Sequence, residues 1–241
     1  MYRRGLPLVV EIAVDGCPTT GKSSLIAGLS DNYEIVPELT TFLPDRVRSY
    51  PKSAKEYEQR VLAEFENLVY RADRYGDSDT VCEMSVVGTV AFSSLLGELV
   101  GVDDPARIIT SAIDQFGDMV RHPDVFVFLT ASPTVVQSRW SNRSISSTFW
   151  SDPAVITYLN EFYRQAAHHL PAVVINSGKV DYEAAVARLR DAPSRISADE
   201  SVDLCSVLRQ LASQERPVVD WSVLEDDRYV RLREANKEKY D

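Results

Sequence analysis

The chain has 241 residues, 44% of them apolar, and a formal net charge of −10. That length and apolar share suit one α/β domain with extensions or a small appendage, and exclude a fibrous or disordered chain. The acidic balance disfavours non-specific nucleic-acid binding, which needs clustered Lys and Arg, though it leaves room for a local basic cleft.

Short apolar runs alternate with longer helical patterns along the chain. Residues 8–14 read as a buried strand, 34–36 as a short second, 80–82 as a third, 125–130 as a fourth and 172–175 as a fifth. Between them lie helices near 21–31, 54–75, 88–99, 106–120, 133–142, 153–168 and 182–189. Strands alternating with helices predict an α/β fold with a parallel sheet covered on both faces. After about Pro193 the strand pattern stops. Ser197-Ala-Asp-Glu is a capping box that opens a helix to about Gln214, and 221–241 is charged and partly helical. The organisation is therefore a core over 1–192 and a helical C-terminal appendage over 193–241.

Arg3 and Arg4 before an apolar run resemble the start of a signal peptide. Glu11 interrupts that run, and cleavage there would destroy the loop that follows. No apolar stretch reaches the length of a membrane span, so a soluble, cytoplasmic protein is expected. Cys17, Cys82 and Cys205 are widely spaced and spell neither a disulfide framework nor a zinc pattern. His122, His168 and His169 have no ligand-like partners nearby in sequence.

Gly16-Cys-Pro-Thr-Thr-Gly-Lys-Ser fits G-x-x-x-x-G-K-[ST], between an apolar strand and the helical Ser24-Leu-Ile-Ala-Gly-Leu. Gly16 and Gly21 allow a turn whose N–H groups converge on phosphate oxygens. Thr19, Thr20, Gly21, Lys22, Ser23 and Ser24 complete the predicted phosphate site, with Lys22 on the β- and γ-phosphates and the Ser23 hydroxyl on Mg²⁺. Cys17 reads as a small loop filler. Such a loop binds a nucleoside triphosphate and leaves open whether the protein is a kinase, a switch or a motor.

Other residues bear on that choice. Glu38 follows the second strand and could take a proton from an acceptor hydroxyl, or be a solvated loop glutamate. Glu83 ends the third strand, where a carboxylate supports Mg²⁺, or caps or pairs locally. Arg139 and Arg143 share one helical face and suit a transferring phosphoryl group, with Ser144, Ser146 and Ser147 suggesting a lid near 139–152; a solvated basic face is the alternative. Arg71 and Arg74 close the 54–75 helix, as cations favour a C-terminus, or they bind substrate. Phe42 is a candidate wall of an acceptor pocket.

Taken together, these residues resemble the thymidylate kinase and deoxynucleoside kinase group of P-loop phosphotransferases, over about residues 8–189. The matching segments are Ile12-Ala-Val-Asp-Gly with the P-loop, Val36-Pro-Glu, Glu83-Met-Ser, the run from Phe126 to Thr134 with Arg139 and Arg143, and Val173-Val-Ile-Asn-Ser-Gly with Asp181-Tyr-Glu. The resemblance implies the three-layer P-loop NTPase fold, with five parallel strands in the order 2-3-1-4-5. It implies ATP or another NTP as donor, Mg²⁺, a nucleoside, nucleotide or similar hydroxyl acceptor, and Glu38 as the base. The group's members often form homodimers, but no interface is legible here. One departure stands out: Met84 replaces the arginine that normally holds the acceptor side, so either the acceptor differs or Arg71 or Arg74 compensates. Two other readings remain: a nucleotide-binding regulator or scaffold with a docking tail, and a kinase acting on a hydroxylated base in DNA.

Overall fold

A computed structural model describes residues 10–75, 77–142, 149–195 and 202–219. Five strands form one parallel sheet: β1 (Glu11–Gly16), β2 (Glu34–Val36), β3 (Thr80–Glu83), β4 (Val125–Thr130) and β5 (Ala172–Asn176). Their spatial order is β2-β3-β1-β4-β5, as the resemblance implied. Register aligns Val14 with Glu83 and Gly16 with Leu129, so the ends of β1, β3 and β4 meet at one edge.

Alternation within the strands explains the layering. Ile12, Val14, Val81, Val125, Val127, Leu129 and Ile175 form one buried face. It is covered by α1 (Lys22–Ala27) and α8 (Tyr182–Arg195). Ala13, Cys82, Phe126 and Phe128 point to the other side. There they meet α3 (Ala54–Tyr75), α4 (Val86–Leu99), α5 (Pro105–Phe116) and α7 (Pro153–His169). The central strands β1, β3 and β4 are largely buried on both faces, as a parallel sheet covered by helices requires, whereas the edge strands β2 and β5 keep exposed residues such as Ile35 and Val174.

The remaining helices are α2 (Asp45–Arg48), α6 (Pro133–Trp140) and α9 (Leu204–Ala212), with short 3₁₀ turns at Leu39–Phe42, Gly117–Met119 and Phe149–Ser151. Several boundaries differ from expectation. β1 runs on to Gly16, and residues 8 and 9 lie outside the described ones. α1 stops at Ala27 because Gly28, Leu29 and Ser30 donate three residues back, tightening the chain into a turn. α8 passes residue 189 because Ala192 is still fully buried. The capping box at 197–200 and the tail at 221–241 lie outside the described residues.

α9 is capped by Asp203, whose carboxylate accepts from Ser206 N at 3.0 Å. Its Leu204, Val207, Leu208 and Leu211 bury against the same core as α4, α5 and α7. Arg209 pairs with Asp114 of α5 at 2.8 Å, and Arg216 lies 3.8 Å from Glu98 of α4. α4 is buried nearly all round, so α9 covers apolar surface that would otherwise meet water. Leu208→Ala is therefore expected to lower the free energy of unfolding by about 2–4 kcal/mol, as for a central core leucine. Urea unfolding followed by tryptophan fluorescence checks this, and an unshifted midpoint would show that α9 sits apart from the core.

Candidate active site

β1 is the central strand, and its end launches the loop. Gly16 has φ +155°, and a Cβ there would lie 2.4 Å from the Leu129 carbonyl oxygen of β4. Only glycine fits that approach. Thr20 Oγ1 donates to Cys17 O at 2.8 Å and tightens the turn. Thr19 holds φ +63°, with its hydroxyl donating to Val136 O at 3.4 Å. Gly21 caps α1 at φ +99° with no side-chain cap, and the space its Cβ would enter is open. The first turn of α1 thus has no side-chain cap on its N–H groups, which leaves them for an anion. Ser24 follows in that turn, and its carbonyl accepts from Tyr182 Oη of α8.

Lys22 folds back over the loop. Its Nζ donates to Gly16 O at 3.0 Å and Cys17 O at 3.1 Å, and lies 3.8 Å from Glu83 Oε1. Ser23 Oγ donates to the other Glu83 oxygen at 3.0 Å. Glu83 thus meets the two loop residues whose side chains can engage phosphate and metal. A hydroxyl beside a carboxylate is an oxygen donor pair that suits Mg²⁺, which keeps its other positions for water and phosphate. Among the described residues no cluster of three or more His, Cys, Asp or Glu could hold a metal by itself.

Glu38 precedes the Leu39–Phe42 turn beside β2. Desolvation of its carboxyl raises its pKa; the nearby Glu83 carboxylate adds to this and Lys22 opposes it. Glu38 therefore lies within electrostatic reach of Glu83 and Lys22.

Arg139 acts on the loop from behind. Its guanidinium donates to the carbonyls of Thr19 and Thr20, each at 3.3 Å, and to Ser177 Oγ at 3.0 Å and Ser177 O at 2.9 Å. These bonds brace the phosphate loop against the turn after β5. In this structure Arg139 is thus engaged with the backbone, where a phosphoryl contact was expected. Arg143 and residues 143–148 of the expected lid lie outside the described residues.

The acceptor-side candidates separate. Arg71 is buried beneath the β3–α4 turn and donates to Met84 O at 2.9 Å. Arg74 lies three residues nearer the C-terminus of α3, farther from the strand ends. It is fully exposed, bonds Tyr70 Oη at 3.0 Å and sits 5.4 Å over the Tyr75 ring. Phe42 packs against Tyr70 at 6.1 Å, on the same outer side of α3. The structure therefore joins Arg71 to the site and leaves Arg74 and Phe42 on α3's outer flank.

Sequence reasoning missed a second set of residues. Asp15, 1% exposed, accepts from Ser85 N at 2.9 Å and from Ser85 Oγ. Burial raises its pKa, and the Ser85 bonds oppose the rise. Asn160 of α7 donates to Ala131 O and accepts from Ala131 N and the Cys17 thiol, locking the loop's flank. Burial pushes the Cys17 thiol up to about 12, which fits an inert filler. A lone carboxylate ending an apolar strand was the available signal for Asp15, but its partner lies seventy residues away.

No family model and no curated protein matches the sequence. Solved structures do match. Deoxyadenosine kinase from M. mycoides with bound dATP superposes with a TM-score of 0.59 at 18% identity, over 76% of this chain and 98% of that one. Thymidylate kinase from Candida albicans gives 0.56 at 13% identity, over 78% and 92%. The chain has the P-loop nucleotide kinase fold. A further M. mycoides deoxyadenosine kinase structure, holding dCMP and a flexible dCDP, gives 0.51 at 19% identity, over 78% and 100%.

Arg139→Ala removes the brace on the phosphate loop. It is expected to weaken ATP binding about tenfold or more, the equivalent of one or two charge-assisted hydrogen bonds. Calorimetric titration checks this, and unchanged affinity would mean the loop holds its shape without Arg139.

Proposed function

We propose that this chain is an Mg²⁺-dependent phosphotransferase that moves the γ-phosphoryl group of ATP, or another NTP, to a hydroxyl of a nucleoside, nucleotide or similar small molecule. The observation that carries the reading is the meeting of Lys22, Ser23 and Glu83 at the loop, with Glu38 within electrostatic reach of Lys22 and Glu83. A carboxylate near the loop besides Glu83 offers a base for an acceptor hydroxyl. The kinase fold of the structural neighbours supports the same reading as an analogy.

The loop N–H groups and the start of α1 hold the phosphates. On binding, the Lys22 ammonium exchanges the Gly16 and Cys17 carbonyls for β- and γ-phosphate oxygens, where it offsets charge that grows in the transition state. Ser23 and Glu83 are the residues that would hold Mg²⁺, which neutralises and orients the phosphates. Glu38 orients the acceptor hydroxyl and accepts its proton as the new P–O bond forms and the bond to the β-phosphate oxygen breaks. Arg139 keeps the loop in register for this. Arg143 is proposed to add positive charge over the transferring group. Arg71 supports the acceptor side through Met84, and Phe42 and Arg74 stand farther out, where they can meet only a long acceptor. Assignment of the chain to the cytoplasm and to a homodimer remains part of this proposal; among the described residues no helix is long and apolar enough to cross a membrane.

Two outcomes test the reading. Lys22→Ala should abolish acceptor-dependent ADP release in a coupled screen over nucleosides, nucleoside monophosphates and hydroxyl metabolites; ADP release that needs no acceptor would favour a regulatory NTPase instead. Glu38 must be ionised to act as base. Its raised pKa therefore places the acid limb of kcat/KM above the ordinary glutamate value of about 4.3, with activity falling as pH drops through that limb. Glu38→Gln should lower kcat by about 10²–10⁴ and remove the limb. A limb that survives this substitution would assign the base elsewhere.

A further inference from the structure

The residues from Glu83 to Ser85 turn sharply at the end of β3, and each is held by another part of the chain. Glu83 meets Lys22 and Ser23. Met84 adopts φ +66°, a left-handed conformation that a side chain with a Cβ disfavours. Its carbonyl accepts from Arg71, and its N–H donates to Val14 O at 3.3 Å. Ser85 gives both its N–H and its hydroxyl to Asp15. Asp15 is the residue before Gly16, so one buried carboxylate joins the root of the phosphate loop to the turn that carries Glu83.

The seat of that carboxylate is tight. A Cβ on Gly88 would fall 2.1 Å from Asp15 Oδ1. Gly88 lies in the first turn of α4, so the helix approaches the carboxylate closely only because the residue there is glycine. The Ser85 hydroxyl, while donating to Asp15, also accepts from Val87 N at 3.0 Å as the N-cap of α4. The contact therefore fixes the start of α4 as well as the turn.

The geometry points to Asp15 as a positioning residue: through Ser85 it holds the Met84 turn left-handed and so aims Glu83 at Ser23, setting the affinity of the site for Mg²⁺ with nucleotide. This rests on the reading of Ser23 and Glu83 as the metal-holding pair. Arg71 grips the same turn from the opposite side through Met84 O. The turn at position 84 is thus maintained from two flanks, with no charged side chain supplied by residue 84 itself.

The test is the Mg²⁺ dependence of ATP binding to the full chain, with thermal unfolding recorded beside it. Asp15→Asn and Ser85→Ala are each expected to raise the Mg²⁺ concentration that half-saturates ATP binding about tenfold or more, as loss of a partner behind a metal ligand does, while Mg²⁺-free ATP affinity stays within about twofold. Gly88→Ala, which touches no phosphate residue, should give the same shift by unseating the carboxylate. In an Asp15→Ala background Gly88→Ala should add nothing, because the atom it displaces is gone. If the Asp15 variants fold poorly, Ser85→Ala, which deletes one hydroxyl, carries the test. A lowered melting temperature with unmoved Mg²⁺ half-saturation would overturn the proposal and leave the kinase reading standing. Wild-type ATP binding that ignores Mg²⁺ would overturn both.

Discussion

The site depends on the close passage of Gly16 beneath the Leu129 carbonyl. β1 is the middle strand of a parallel sheet, and its last residue must leave the sheet without a side chain. That passage lets the loop curl so that its N–H groups and the start of α1 face one opening. Everything else in the site holds or completes this curl. Thr20 ties it to Cys17, Arg139 braces it from α6, Asn160 packs its flank from α7, and Asp15 fastens its root to the turn bearing Glu83.

The same arrangement shows how polar groups survive in a dry interior. Asp15, Asn160 and Thr20 are nearly or fully buried, and each has hydrogen-bond partners in the backbone or a neighbouring hydroxyl. Removing one partner leaves a buried group unsatisfied, so these contacts are costly to disturb although none faces the opening. Farther out, Arg60 and Glu64 pair at 2.9 Å inside α3, with Arg60 also donating to Val47 O and Ser49 O. That bond set ties the segment around Val47 and Ser49 to α3.

Much of this was legible in the sequence. The G-x-x-x-x-G-K-S spacing located the loop, since backbone conformation leaves a direct mark on residue type at Gly16 and Gly21. α3 and β4 were read to the residue because long periodic or continuous apolar runs are strong signals. The ends of α1 and α8 were not, because they are set by a local turn and by tertiary burial, which periodicity does not encode. The approach of Glu83 to the loop was legible from its place at the end of a strand. Asp15 and Ser85 were missed because their contact joins β1 to the start of α4, and one sequence does not reveal such pairs. Arg139 was read as a phosphoryl-binding residue from its charge and position, and its contacts with the loop carbonyls and with Ser177 were not legible in that reading. Arg71 and Arg74 look equivalent as cations closing one helix, and only the direction of each side chain separates the buried one from the exposed one.

The reading proposed for the loop from Gly16 to Ser24 is that it holds the phosphates of a nucleoside triphosphate together with Mg²⁺. Equilibrium dialysis of labelled ATP against the full chain, with and without Mg²⁺, tests it most directly. One site per chain is expected, tightened by Mg²⁺ and lost when Lys22 is replaced by Ala. Saturable binding that persists unchanged in Lys22→Ala, or no binding at millimolar Mg-ATP, would contradict it.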